Sequence, residues 1–198
     1  MIAQPTRAQT INPVFPYTPF SDVEIEQSIP DRFEQQVRGC ADRLAIVTEE
    51  AALTYRDLNA LANRLAQRIL ALRGERVEAI ALMFEHGAGV LAAMLGVLKA
   101  GKFYLVLDPS YPGDRLAYML EDSGAALVIA DTENHRNAAR MAGVRADVIN
   151  LDHLDGALSA ENPGVKISPD ALSMLLKMLR YLISGHQEGA GQPKLLRA

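Results

Sequence analysis

The sequence predicts an α/β domain in which helices flank a largely parallel sheet. Two observations carry that expectation. Short, nearly continuous apolar runs suited to strands buried on both faces alternate with segments of helical period, and 198 residues suffice for one core of ordinary size. Hydrophobic residues make up 49% and charged residues 22% of the chain, with 14 Gly and 10 Pro, a globular rather than disordered composition. The formal charge of −4 leaves no positive field for non-specific nucleic-acid binding. The single cysteine, Cys40, closes no intrachain disulfide and completes no Cys-rich zinc site, so the core alone must hold the fold and a cytoplasmic setting fits. The uncharged run from Gly87 to Leu98 is far shorter than the roughly 20 residues of a membrane helix. No secretory signal is expected, because the first 20 residues lack an apolar stretch.

Five of the ten prolines fall in the first 30 residues, which predicts a non-helical linker over 1–28 and a domain over 29–198. Pro30 in a first helical turn, with Phe33 and Val37 four apart, predicts a short helix before a strand at Leu44 to Thr48. A hairpin turn follows over Glu49 to Ala52. Thr54, with Asp57 three residues on, caps a helix whose Leu58, Leu61, Leu65, Ile69 and Leu72 form one stripe, ending near Gly74. The run Val77 to Met83 reads as a central strand, and Gly87 to Ala100 as a helix with Lys99 in its last turn and Gly101 closing it. Phe103 to Leu107 is the next buried strand. Two prolines then take Asp108 to Pro112 out of the sheet, and Arg115, Leu116, Met119 and Leu120 begin a helix. Ala126 to Ala130 and Asp147 to Asn150 read as strands around a helix at Asn134 to Met141. Ala171 to Ile183 reads as an amphipathic helix with Leu172, Leu175, Leu176, Leu179 and Leu182 on one side, inside a divergent tail over 170–198.

Candidate chemistry is sparse. Gly87-Ala88-Gly89-Val90-Leu91-Ala92 with Asp108 downstream matches a dinucleotide fingerprint, but Phe84, Glu85 and His86 separate strand from glycine, so packing glycines are the better reading. His86, His135, His153 and His186 share no metal-ligand spacing. Asp152, His153 and Asp155 read as a solvated loop, and Cys40 as a small packed side chain. In the tail, Ser184-Gly185 and Gly189-Ala190-Gly191-Gln192-Pro193-Lys194 offer backbone N–H groups and one ammonium to phosphates; a frayed terminus is the competing reading.

Three segments together resemble the amino-acid adenylation domains of nonribosomal peptide synthetases, in the adenylate-forming, AMP-binding superfamily. Leu53-Thr54-Tyr55-Arg56-Asp57-Leu58-Asn59 with Ala62-Asn63-Arg64-Leu65 is similar to the family's first core motif. Leu98-Lys99-Ala100-Gly101-Lys102-Phe103-Tyr104-Leu105-Val106-Leu107-Asp108-Pro109-Ser110-Tyr111-Pro112 is similar to the second, continued by Arg115 to Ser123. The resemblance covers about Ile29 to Asn150, and it implies the opening part of the large N-terminal domain of adenylate-forming enzymes. It also implies a reaction in which a carboxylate attacks the α-phosphorus of Mg-ATP to give an acyl-adenylate and pyrophosphate. Transfer to the phosphopantetheine thiol of a carrier protein follows, among other peptide-synthetase domains as partners.

The third core motif is similar to Tyr-Thr-Ser-Gly-Ser-Thr-Gly-x-Pro-Lys-Gly. Here Ser184, Gly185, Gly191 and Lys194 match its two ends only: His186 to Ala190 replace the hydroxyl pair, and Leu195 replaces the closing glycine. The expectation is therefore a truncated adenylation domain, inactive alone, with those four residues as remnants of phosphate contact. Two alternatives stand beside it: a non-catalytic docking protein using the Ala171 to Ile183 helix, and a dinucleotide binder using Gly87, Gly89 and Asp108.

Overall fold

A computed structural model describes residues 22–48, 51–176 and 194–197. In chain order the elements are α1 (Asp22–Ile25), α2 (Ile29–Cys40), β1 (Leu44–Val47), β2 (Ala52–Thr54), α3 (Tyr55–Arg73), β3 (Ala79–Met83) and α4 (Ala88–Lys99). Then come β4 (Phe103–Val106), α5 (Gly113–Ser123), β5 (Leu127–Ala130), α6 (Thr132–Ala142), β6 (Asp147–Asn150), a 3-10 turn (Leu151–His153), β7 (Leu172–Leu176) and β8 (Lys194–Arg197). Strands β1 and β2 pair antiparallel in a small separate ribbon. The main sheet runs β6-β5-β3-β4-β7-β8, with the first five strands parallel and β8 antiparallel at the edge.

The helix starts follow from side-chain chemistry. Ser28 accepts from the backbone N–H of Asp31 ahead of Pro30, which fits the first turn because its missing N–H would be unpaired there anyway. At α3 the expected capping box is complete: Thr54 accepts from the Asp57 N–H, and the Asp57 carboxylate accepts from the Thr54 N–H. Asp131 caps α6 by accepting from the Asn134 N–H at 2.8 Å, which starts that helix two residues before the apolar period suggested.

Alternation along the central strands divides the core in two. Ala79, Ala81 and Met83 pack with α5 and α6 through Leu116, Met119, Leu120, Ala138 and Ala142. Ile80 and Leu82 pack with α3 and α4 through Leu65, Ala66, Ile69, Ala93 and Val97. Since successive strand residues point to opposite faces, α3 and α4 cover one face of the sheet and α5 and α6 the other. Gly96 brings α3 and α4 together, because a Cβ there would lie 2.8 Å from Leu65 Cδ2 and 3.0 Å from the Ala62 carbonyl. No helix among the described residues is long and apolar enough to cross a membrane.

Two expectations are corrected. The proline-rich lead-in ends in a helix, α1, because residues 22–28 carry no proline. The amphipathic helix expected from Ala171 is instead strand β7 over Leu172–Leu176; residues 177–183 of that expectation lie outside the described residues. Ser173 and Leu175 are buried while their neighbours are not, the two-residue period of a strand. A short leucine-rich run satisfies both periods, and the unpaired ladder groups of β4 decide between them by recruiting a partner. The docking alternative loses its basis with that helix.

Candidate functional site

Neighbouring strands β3 and β4 leave the sheet in opposite directions. After β3 the chain passes Phe84 to Gly87 and enters α4 on one face; after β4 it passes Leu107 to Pro112 and enters α5 on the other. This divergence makes the mouth between the carboxyl ends of β3 and β4 a topological switch point, the place where open α/β sheets bind ligands.

Asp108 stands at this mouth, exposed, with Oδ1 accepting from the Ser110 N–H at 2.9 Å. The Ser110 side chain and N–H, helped by the nearby charges of His86 and Arg115, hold its carboxyl below the usual carboxylate range, so it is ionised at neutral pH. Arg115 stacks its guanidinium over the Tyr111 ring at 3.7 Å, and its Nε is sealed from solvent without a protein acceptor. Tyr111 is fixed in turn by its N–H, which donates to the Asp108 carbonyl at 3.0 Å. The two prolines thus set a turn that presents an acid and a stacked base at the crevice.

Strand β7 extends the same edge. Tyr104 lies opposite Met174 in the parallel register, which sets Leu176 level with Val106; Leu176 also pairs with Lys194, the first residue of β8. Of the expected phosphate-contact residues, the backbone of Lys194 is therefore at the carboxyl edge, while Ser184, Gly185 and Gly191 lie outside the described residues. His186, the fourth histidine considered, also lies outside them.

The dinucleotide alternative finds no support in the geometry. Gly89 faces inward, where a Cβ would meet Phe84 Cε1 at 3.5 Å and Leu151 Cδ2 at 3.6 Å, so it packs the helix rather than approaching a ligand. Asp152 accepts from the Thr132 N–H at 2.7 Å, and Cys40 Sγ donates to the Gln36 carbonyl at 3.0 Å; both act locally.

Sequence reasoning missed two arrangements. His86 and Arg115 were not expected to share a mouth with Asp108, because strand order is not written in local periodicity. Nor was the polar cluster in which Asn59, Glu34 and the exposed Asn162 meet the buried Asn63 and Lys99, at the opposite end of α4; asparagines four apart beside an apolar helix stripe were its only sequence signal. A cavity of about 330 Å³ lies beside that cluster, lined by Glu34, Lys99 and residues 163–167, away from the switch point.

A parallel sheet flanked by helices on both faces, with a switch point between β3 and β4, defines the class. Within it, the chain belongs to the AMP-binding enzyme family, whose model matches residues 33–177. It is 42% identical over 134 residues to N-(5-amino-5-carboxypentanoyl)-L-cysteinyl-D-valine synthase of Amycolatopsis lactamdurans, covering 66% of this chain and 4% of that protein. Against tyrocidine synthase 3 of Brevibacillus parabrevis it is 34% identical over 154 residues, covering 77% of this chain and 2% of the relative. The chain thus spans a few hundredths of the length of these curated relatives. Among solved structures, the nonribosomal peptide synthetase FmoA3 in its α-methyl-L-serine-AMP bound form superposes with a TM-score of 0.69 at 28% identity, over 74% of this chain and 16% of that one. The N-terminal subdomain of Klebsiella oxytoca NpsA shares the fold at a TM-score of 0.70 and 20% identity, over 91% of this chain and 43% of that one.

Proposed function

We propose that this chain carries the nucleotide-facing scaffold of an amino-acid adenylation domain of peptide-synthetase type and does not catalyse alone. In the full reaction a substrate carboxylate oxygen bonds to the α-phosphorus of ATP as the bond to the bridging oxygen breaks and pyrophosphate leaves. The acyl group then passes to the phosphopantetheine thiol of a carrier protein, with other peptide-synthetase domains as partners and the cytoplasm as setting.

The observation that carries this reading is the carboxyl edge of the sheet. There the β3/β4 switch point stands on the β7 side of the sheet, and the last residue of β7, Leu176, pairs with Lys194. The glycine-rich sequence that holds Ser184, Gly185 and Gly191, with the Lys194 ammonium, has the composition that suits a polyphosphate. Arg115 and His86 add donors on the β4 and β3 sides. Magnesium bound with ATP supplies charge neutralisation at the phosphates; it needs only one or two protein carboxylates, and Asp108 is ionised at this mouth. Inactivity alone is supported by the replaced centre of the phosphate-loop motif between Gly185 and Gly191.

The test is a thermal melt of the chain with and without Mg-ATP, together with hydroxamate formation from ATP, an amino acid and hydroxylamine. Nucleotide at 100 times its dissociation constant adds about 2.7 kcal/mol and raises the midpoint by several degrees. An unmoved midpoint at millimolar Mg-ATP would overturn the phosphate site, and any hydroxamate would overturn the inactivity.

A further inference from the structure

Between Leu154 and Ala171 the chain passes from the β6 side of the sheet to β7, beyond β4, without a helix or strand of its own. Parallel strands are usually joined through a helix, and an irregular connection longer than about 15 residues is uncommon inside a compact domain. The path therefore needs an anchor, and the polar cluster that joins the exposed Asn162 to the buried Asn63 and Lys99 is placed to be one.

Asn162 is its centre. Its Oδ1 accepts from Asn63 Nδ2 at 2.8 Å, from Lys99 Nζ at 3.1 Å and from Asn59 Nδ2 at 3.4 Å. Asn63 Nδ2 also donates to the Ala160 carbonyl at 2.7 Å, so two points of the crossover are held. Asn63 is fully buried and Lys99 is 1% exposed. Lys99 completes the arrangement by pairing with Glu34 on α2 at 2.5 Å, beneath the Phe33 ring. Helices α3 and α4 thus direct donors at one amide oxygen, and α2 is tied to it through the Glu34–Lys99 pair. Burial lowers the pKa of the Lys99 ammonium, and Glu34 opposes that, as a charge retained for contact requires. The Asn59 and Asn63 amide oxygens are left sealed without protein donors, which shows both side chains oriented by what they donate to. Past Asn162 the crossover lies against the α4–β4 turn, where Val165 Cγ1 would stand 3.1 Å from a Cβ at Gly101, and β7 begins soon after.

We propose that Asn162, clasped by Asn63 and Lys99, is a positioning residue: it fixes the path of the crossover and thereby the seating of β7 against β4. Asn59, Asn63 and Lys99 come from the two motif-like segments of the sequence, yet they meet at the end of α4 remote from the crevice. Their service to the site is indirect, through the strand that borders it. The seating of β7 is independent of the nucleotide reading; only its consequence at the crevice rests on that reading.

Hydrogen exchange of the 198-residue chain, without nucleotide, tests this on Asn162→Ala and Asn162→Asp. In N162A the amides of Leu172–Leu176 are expected to exchange about ten-fold faster or more while those of β3 and β5 keep their protection, the signature of a local opening. N162D retains an acceptor for Lys99 and both amides, and is expected to restore β7 protection. Unchanged β7 exchange in N162A would overturn the proposal. So would equal acceleration of every strand or failure of N162A to fold, since the cluster would then hold the core rather than one connection. Absence of rescue in N162D would remove the acceptor role.

Discussion

Glu78 accepts from Arg73 Nε at 3.1 Å and Nη2 at 3.0 Å, with the fully buried Lys102 ammonium 3.4 Å away, just ahead of β3. Hydrogen bonding to Arg73, then the charges of Arg73 and Lys102, hold the Glu78 carboxyl below the usual glutamate range. A carboxylate with a depressed folded pKa stabilises above its unfolded pKa, and that contribution is lost as pH falls through the folded value, where the unfolded chain takes up more protons. Glu78→Gln should therefore cost about 2 kcal/mol near neutral pH, and the deficit in urea midpoint should shrink below about pH 4. An equal deficit at both pH values would refute the ion-pair account. Single residues with a local partner were the most legible in sequence: Thr54 and Asp57 announce their capping box three residues apart. Asn63 was not legible, because its partners at Ala160 and Asn162 are about a hundred positions away and a polar side chain on a helix reads as surface.

At the scale of elements, helices α2 to α6 were legible and strand β7 was not. Helices α2, α3 and α6 carry their start chemistry in their own sequence, at Ser28, Thr54 and Asp131, while Leu172–Leu176 becomes a strand only because β4 has an open edge to fill. The α3–α4 contact gives a sharp test of packing. Gly96→Ala sets a methyl against the Ala62 carbonyl and Leu65 and should destabilise by about 1–3 kcal/mol. Gly39→Ala, in α2 with nothing within 4 Å of the added methyl, should stabilise by roughly 0.5–1 kcal/mol. A thermal midpoint unchanged or raised in Gly96→Ala would show that α3 and α4 do not meet as closely as Gly96 indicates.

For the molecule as a whole, the alternation of strands and helices made a parallel sheet legible, but the order β6-β5-β3-β4-β7 is fixed by long-range pairing that no local window contains. The switch point, and with it the meeting of His86, Asp108 and Arg115, follows from that order. The two halves of the core share β3 and β5, whose alternate residues serve opposite faces, so they should unfold together. Met83→Ala on one face and Ile80→Ala on the other should each cost about 2–5 kcal/mol and shift one common transition seen by both circular dichroism and tyrosine fluorescence. Separate transitions by the two probes would mean that the faces are independent units.

The antiparallel pairing of Leu176 with Lys194 has a bearing on how such a chain can diverge. It clamps the two ends of the intervening stretch side by side, so that the sheet carries the closure whatever lies between. Doubling the length of a closed loop costs only about 0.6 kcal/mol. Changes of length between the two strands therefore cost the scaffold little, which makes the β7–β8 pair a natural splice point for exchanging the intervening sequence with that of a relative.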